Sequence, residues 1–194
     1  MTAAPDIDGQ KAQVRRAARA IRAQAQADTP DAALRILDTF PLELATPSPV
    51  VGGYWPVGSE LDPRVLMAAL SKSGAQIALP RMSTRQGPAR FHLWQAGVTL
   101  TADAFGVPSP PENAQTISPR LILVPLLAFD RDGRRLGQGG GHYDRILARL
   151  KPMGAIAVGL AFAAQEMPMI PTGPFDEHLD WIVTEHESFR CRRR

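Results

Sequence analysis

The run Leu121-Ile-Leu-Val-Pro125 is apolar at every position. A strand with no polar face needs cover on both sides, the situation in the centre of a parallel sheet layered between helices. The flanking segments fit that setting. Residues 155–160 form a second short apolar run, and residues 50–55, 76–79, 90–94 and 181–184 read as further strands.

Helical patterns alternate with these strands. Residues 8–27 carry Val14, Ala18, Ile21 and Ala25 at intervals of three and four, the spacing of one helix face. Asp31 stands where it can cap a helix running to Phe40, and Asp62-Pro63 opens another to about Ser73, with Gly74 at its end. His142–Leu150 reads as a helix after a glycine cluster. Residues 81–118 are proline-rich and irregular. Strand and helix in alternation predict an α/β fold, a three-layer αβα domain with a mostly parallel central sheet. Its crossovers are right-handed, and ligands bind off the carboxyl ends of the strands.

A chain of 194 residues with 44% hydrophobic composition suits one such domain. Residues 1–189 are assigned to it, and residues 190–194, which hold Arg190, Arg192, Arg193 and Arg194, to a frayed basic tail. The net charge of +3 sits at the two ends, because Lys11, Arg15, Arg16, Arg19 and Arg22 crowd the start and the body between is mildly acidic. Without a basic face on the body, no nucleic-acid partner is expected. The apolar runs are too short to span a bilayer, so no membrane partner is expected either. Asp6, Asp8, Lys11, Arg15 and Arg16 leave no room for a secretory leader. The lone Cys191 excludes an internal disulfide and a Cys-built zinc site, which suits a reducing cytoplasm.

The chemistry concentrates in one segment. After the Leu121–Pro125 strand come Arg134, Arg135, Leu136 and then Gly137-Gln138-Gly139-Gly140-Gly141-His142-Tyr143-Asp144. A glycine-rich loop at a helix N-terminus presents backbone amides and the positive end of a dipole, a cradle for phosphate. It lacks the Lys-Ser/Thr of a Walker loop and the third glycine of a dinucleotide turn. A tight structural turn is the alternative. A carboxylate such as Asp144 tolerates phosphate only with a cation between them, although the same residue also suits a helix N-terminus. Cys191 among arginines, Ser59 and Ser118 outside a nucleophile elbow, and His92, His142, His178 and His186 without paired spacing offer no nucleophile or zinc site.

Gly133-x-Arg135-Leu-Gly-x-Gly-x-Gly-x-Tyr143-Asp144, preceded by Phe129-Asp130, resembles the signature of 5-formyltetrahydrofolate cyclo-ligase, also called methenyltetrahydrofolate synthetase. The resemblance continues in Lys11-x-x-x-Arg15, Tyr54-x-Pro56-x-x-x-Glu60, Leu79-Pro80 and Asp176-x-x-x-Asp180-x-x-Val183-Thr184-Glu185. It implies that Lys11 and Arg15 contact ATP, with an ordinary solvated stripe as the other reading. It implies that Arg135, Leu136, Gly137, Gln138, Gly139, Gly140, Gly141, His142 and Tyr143 form the ATP loop, with Arg135 catalytic. Gln138 through His142 also border the folate. Asp144 and Asp176 correspond to metal-associated carboxylates and imply Mg²⁺. Glu60 corresponds to the acidic residue on the pterin and Trp55 to an apolar folate contact; a helix N-terminal charge and a core tryptophan are the alternatives. His142 stands where tyrosine is common, and Phe175 where histidine is common.

The resemblance implies an ATP-dependent ligase that converts 5-formyltetrahydrofolate to 5,10-methenyltetrahydrofolate, working as a monomer or weak homodimer. A non-catalytic folate- or nucleotide-binding protein, and a sugar-phosphate isomerase or acyl-CoA transferase of related fold, remain alternatives at this level.

Overall fold

The computed structural model describes residues 6–45, 50–84 and 87–192. The chain runs α1 (Ile7–Asp28), α2 (Ala32–Thr39), β1 (Val50–Gly52), α3 (Arg64–Lys72), β2 (Gln76–Arg81), β3 (Arg90–Trp94), β4 (Thr101–Ala102) and β5 (Pro108–Ser109). It continues through β6 (Leu121–Pro125), β7 (Ala128–Phe129), β8 (Arg135–Leu136), α4 (His142–Leu150), β9 (Ile156–Leu160), β10 (Trp181–Val183) and β11 (Ser188–Arg190).

Among the described residues, seven strands form one sheet in the order β11-β10-β9-β6-β1-β2-β3. The five inner strands are parallel, and β3 and β11 close the edges as antiparallel hairpin partners of β2 and β10. Leu121, Ile122, Leu123 and Val124 are fully buried, as an apolar central strand requires. Alternation sends them to opposite faces. Leu121 and Leu123 join Ile36, Leu66, Met67 and Leu70 from α2 and α3, whereas Ile122 and Val124 join Ile146, Leu147 and Leu150 from α4. Each such side chain contributes roughly 1.5–3 kcal/mol on burial. Helices on both faces of a mainly parallel sheet make the expected three layers.

Local differences have physical causes. The strand expected over residues 50–55 pairs only as far as Gly52 before the chain turns into the site. Helix α3 starts one residue later than expected: Pro63 is the N-cap rather than the first helical residue, and Asp62 before it accepts the Arg64 amide and side chain. In α1 the buried residues are Ala18, Arg22 and Ala25, while Ile21 is exposed.

The boundary of the basic tail needs correction. Arg190 lies in β11, the Cys191 amide donates to the Asp180 carbonyl, and the Cys191 side chain is buried in the core on the α4 face of the sheet. Burial and the neighbouring Asp180 and Asp130 push its thiol up to about 12. A hairpin pairs this segment with β10, and the core that receives Cys191 comes from residues far away in the chain, Phe129, Ile146 and Leu147 among them, which local composition does not show. Arg193 and Arg194 lie outside the described residues, as do Pro47 and Pro49.

Candidate active site

A cavity of about 520 Å³ opens beyond the carboxyl ends of β1, β2 and β6, within the range of small-ligand sites. The glycine loop and the start of α4 form one wall. Tyr54, Trp55, Val57 and Glu60 form another, and α1 and the β4–β5 hairpin close the sides.

The glycine loop begins where Leu136, buried at the end of β8, packs with Ala18 of α1, Leu127 and Ile170. Gly139 has φ +105° and Gly141, the N-cap of α4, φ +62°. Such angles are costly for residues with a Cβ, so glycine sets the path of the chain into the helix. Helix α1 then braces the loop. The Arg15 guanidinium Nε donates to the Gly137 carbonyl at 3.0 Å, and Arg19 Nε to Gln138 Oε1 at 3.1 Å. Lys11 forms an ion pair with Asp176. At 100° per residue, Lys11, Arg15, Ala18, Arg22 and Ala25 share one face of the helix. The alanines bring the helix close, and the basic side chains reach past them to the site.

The Arg135 side chain is 4% exposed and spans two anchors, the Glu177 carbonyl and Asp144 Oδ1, the latter at 2.6 Å. The same Asp144 oxygen accepts the Glu177 amide. Asp176 accepts from the Gly173 amide and from Lys11; burial opposes its ionisation, but those hydrogen bonds hold its carboxyl below the usual range. Arg134, by contrast, turns away to pair with Asp130 and Asp132.

Asp144 and Asp176 both line the cavity, each already paired with a cation. Among the described residues no three His, Cys, Asp or Glu side chains cluster as a metal cage. This donor set does not suit a resident metal. It suits Mg²⁺, which binds through one or two carboxylates plus substrate phosphates.

On the opposite wall Glu60 is neither a helix charge nor exposed. Its Oε2 accepts the Val57 amide at 2.9 Å, and its Oε1 lies 3.6 Å from Arg22 Nη1. Burial pushes its carboxyl up, while the Val57 amide and Arg22 pull it down. Burial, with Glu60 nearby, also raises the Tyr54 and Tyr143 phenols and keeps them neutral. Trp55 is half-buried, edge-on to Trp94 with ring centroids 6.1 Å apart, and the Arg64 guanidinium sits 5.0 Å from its ring. It serves core and cavity at once.

The β4–β5 hairpin brings residues to which no sequence motif points. Asp103 Oδ1 accepts the Phe105 and Val107 amides, tightening the turn. Phe105 then meets the His142 ring edge-on, with centroids 4.8 Å apart. Burial and Arg145 lower the His142 pKa, which favours the neutral ring. Phe175 is 89% exposed and does not line the cavity.

Every residue expected at the site therefore lines this one cavity: Lys11, Arg15, Trp55, Glu60, the loop from Arg135 to Tyr143, Asp144 and Asp176. Arg22 and Phe105 also line it without being expected there, as does Tyr54, which stands in a motif of the resemblance but carries no assigned role. For Arg22 a signal existed, its place on the helix face of Lys11 and Arg15. For Phe105 there was none, since residues 81–118 have no periodicity.

A model of the 5-formyltetrahydrofolate cyclo-ligase family matches residues 7–185. The 5-formyltetrahydrofolate cyclo-ligase of Mycolicibacterium smegmatis is 34% identical over 142 residues, which cover 69% of this chain and 72% of that protein. The enzyme of the same name from Haemophilus influenzae is 30% identical over 128 residues, 63% of this chain and 68% of that one. The solved structure of Aquifex aeolicus 5,10-methenyltetrahydrofolate synthetase superposes with a TM-score of 0.79 at 27% identity, covering 95% of this chain and 94% of that one.

Proposed function

Because the chain belongs to the 5-formyltetrahydrofolate cyclo-ligase family, a family of ATP-dependent ligases, we propose that it converts 5-formyltetrahydrofolate and ATP to 5,10-methenyltetrahydrofolate, ADP and phosphate. The observation that carries this reading is the division of one cavity into two chemistries. A glycine loop braced by Arg15 and Arg19, with Lys11 and Arg135 lining the same cavity, suits a triphosphate. Facing it, Glu60 and Trp55 suit a flat heterocycle with N–H donors.

The formyl group of the substrate is an amide, and its oxygen leaves only once activated. Its attack on the γ-phosphorus expels ADP and leaves an iminium phosphate. Nitrogen 10 then adds to the iminium carbon, loses its proton, and phosphate departs with the former formyl oxygen. No protein nucleophile is needed. The chain's work is alignment and charge stabilisation.

Residues divide that work. Gly137 to Gly141 direct the loop backbone at the phosphates, Lys11 and Arg15 supply positive charge from α1, and Arg135 lies where charge develops on the transferring group. Asp144 and Asp176 would hold Mg²⁺, which when bound adds positive charge beside the phosphates. Glu60 accepts the pterin N–H groups, Trp55 offers an apolar face, and Phe105 on His142 screens the cavity from water. The single free thiol suits a cytoplasmic setting.

The test is direct. Purified protein with 5-formyltetrahydrofolate, ATP and Mg²⁺ forms the methenyl chromophore with one ADP per product, and omission of any component abolishes it. Saturable folate binding without product would instead identify a non-catalytic binding protein.

A further inference from the structure

Arg22 is 4% exposed, and arginine is rarely buried to that extent without partners. Its fork is divided between two chain segments. Nε donates to Ser59 Oγ at 3.1 Å, and Nη1 donates to the Leu126 carbonyl at 3.2 Å while lying 3.6 Å from Glu60 Oε1. Ser59 and Glu60 belong to the loop after β1, and Leu126 follows β6, so the side chain ties two cavity walls to α1.

We propose that Arg22 is a positioning residue for folate recognition: it fixes the Glu60 carboxylate in the plane that meets the pterin N–H groups. The inference rests on the reading of Glu60 as the pterin acceptor. Val57 fixes one carboxylate oxygen and Arg22 faces the other. A carboxylate offers about four acceptor sites, so capacity remains for a ligand in the cavity. A lysine keeps the charge of Arg22 but not its planar fork.

The groups facing Glu60 are Arg22 from α1, Tyr54 beyond β1 and Tyr143 from α4, with Asp62 near Tyr54. Both phenols stay neutral through the working range, which leaves Arg22 as the cation that favours an ionised Glu60. Removing a neighbouring opposite charge raises a carboxyl pKa by about 1–3 units. The protonated acid is a poor acceptor for two N–H donors. Without Arg22, folate affinity therefore fails at a higher pH than in the wild type and recovers as pH rises further.

The experiment measures both KM values from pH 6 to 9 for the wild type, Arg22→Met, Arg22→Lys, Glu60→Gln and the double variant Arg22→Met/Glu60→Gln. At pH 7, Arg22→Met raises the folate KM about tenfold and leaves the ATP KM within about twofold, with the folate effect shrinking toward pH 9. In the Glu60→Gln background the same change adds little, because its route to the substrate is already lost. Arg22→Lys raises the folate KM by a smaller factor with a pH profile close to wild type, and it carries the test alone if Arg22→Met does not fold. A wild-type folate KM and pH profile in a folded Arg22 variant overturns the proposal, as does full additivity with Glu60→Gln. Absence of methenyl product from the wild type, or a folate KM indifferent to Glu60→Gln, overturns the underlying reading as well.

Discussion

Replacing Gly139 and Gly137 by alanine, one at a time, separates the two reasons a phosphate loop contains glycine. At Gly139 the backbone has φ +105°, and an added Cβ would stand 3.5 Å from the Arg15 guanidinium carbon. That is ordinary contact, so space is not the obstacle; the dihedral is. Holding a non-glycine residue there costs about 1–3 kcal/mol. For a chain of this size each kcal/mol lowers the melting temperature by roughly 2–4 °C, so a cost near 2 kcal/mol predicts a fall of about 4–8 °C. At Gly137 the added Cβ meets no atom within 4 Å and φ is not in the left-handed region. Gly137→Ala should melt within about 1 °C of wild type, yet raise the KM for ATP because its methyl occupies space beside the phosphates. Differential scanning fluorimetry and ATP titration of the two variants make the comparison. Equal melting temperatures for all three proteins, or a less stable Gly137→Ala, would refute the assignment of a conformational role to Gly139.

Glu60→Gln should raise the folate KM about ten- to a hundredfold at pH 8 and leave the ATP KM unchanged, since it exchanges a charge-assisted pair worth roughly 1.5–3 kcal/mol for a mismatched amide. Steady-state kinetics with each substrate varied in turn check it. Arg135→Ala should lower kcat on the order of 10²-fold while folate binding, followed by fluorescence quenching, changes little. Asp144→Asn should shift the Mg²⁺ titration of activity to higher concentration; a titration that superposes on wild type removes Asp144 from the metal assignment. Deleting residues 188–194 removes β11 and the buried Cys191, and should lower the melting temperature by several degrees, in contrast to the small effect expected of a frayed tail.

Local chemistry made much of this protein legible before its structure. An apolar five-residue strand can only be central, so Leu121–Pro125 located the middle of the sheet, and the glycine segment with His142–Leu150 announced a loop and helix start at the bounds observed. Motif residues far apart in sequence, from Lys11 to Asp176, could be assigned to one site by resemblance, because a site keeps its residue types even where the chain between them varies. Tertiary structure decided what depends on partners distant in sequence. Arg190 and Cys191 read as a charged end, but Arg190 pairs with Trp181 of β10 while staying exposed, and Cys191 enters a core built from distant residues such as Phe129, Ile146 and Leu147. Ile21 fits a helical stripe, but which side of α1 is buried depends on segments elsewhere: the chain after β6 meets Ala18 and Arg22, and the core of α2 and α3 takes in Ala25. Phe105 sits in an irregular, proline-rich stretch, and only the turn held by Asp103 carries it to His142. In each case the sequence specifies the side chain and its local geometry, while the contacts that give it a role are created by surfaces elsewhere in the chain.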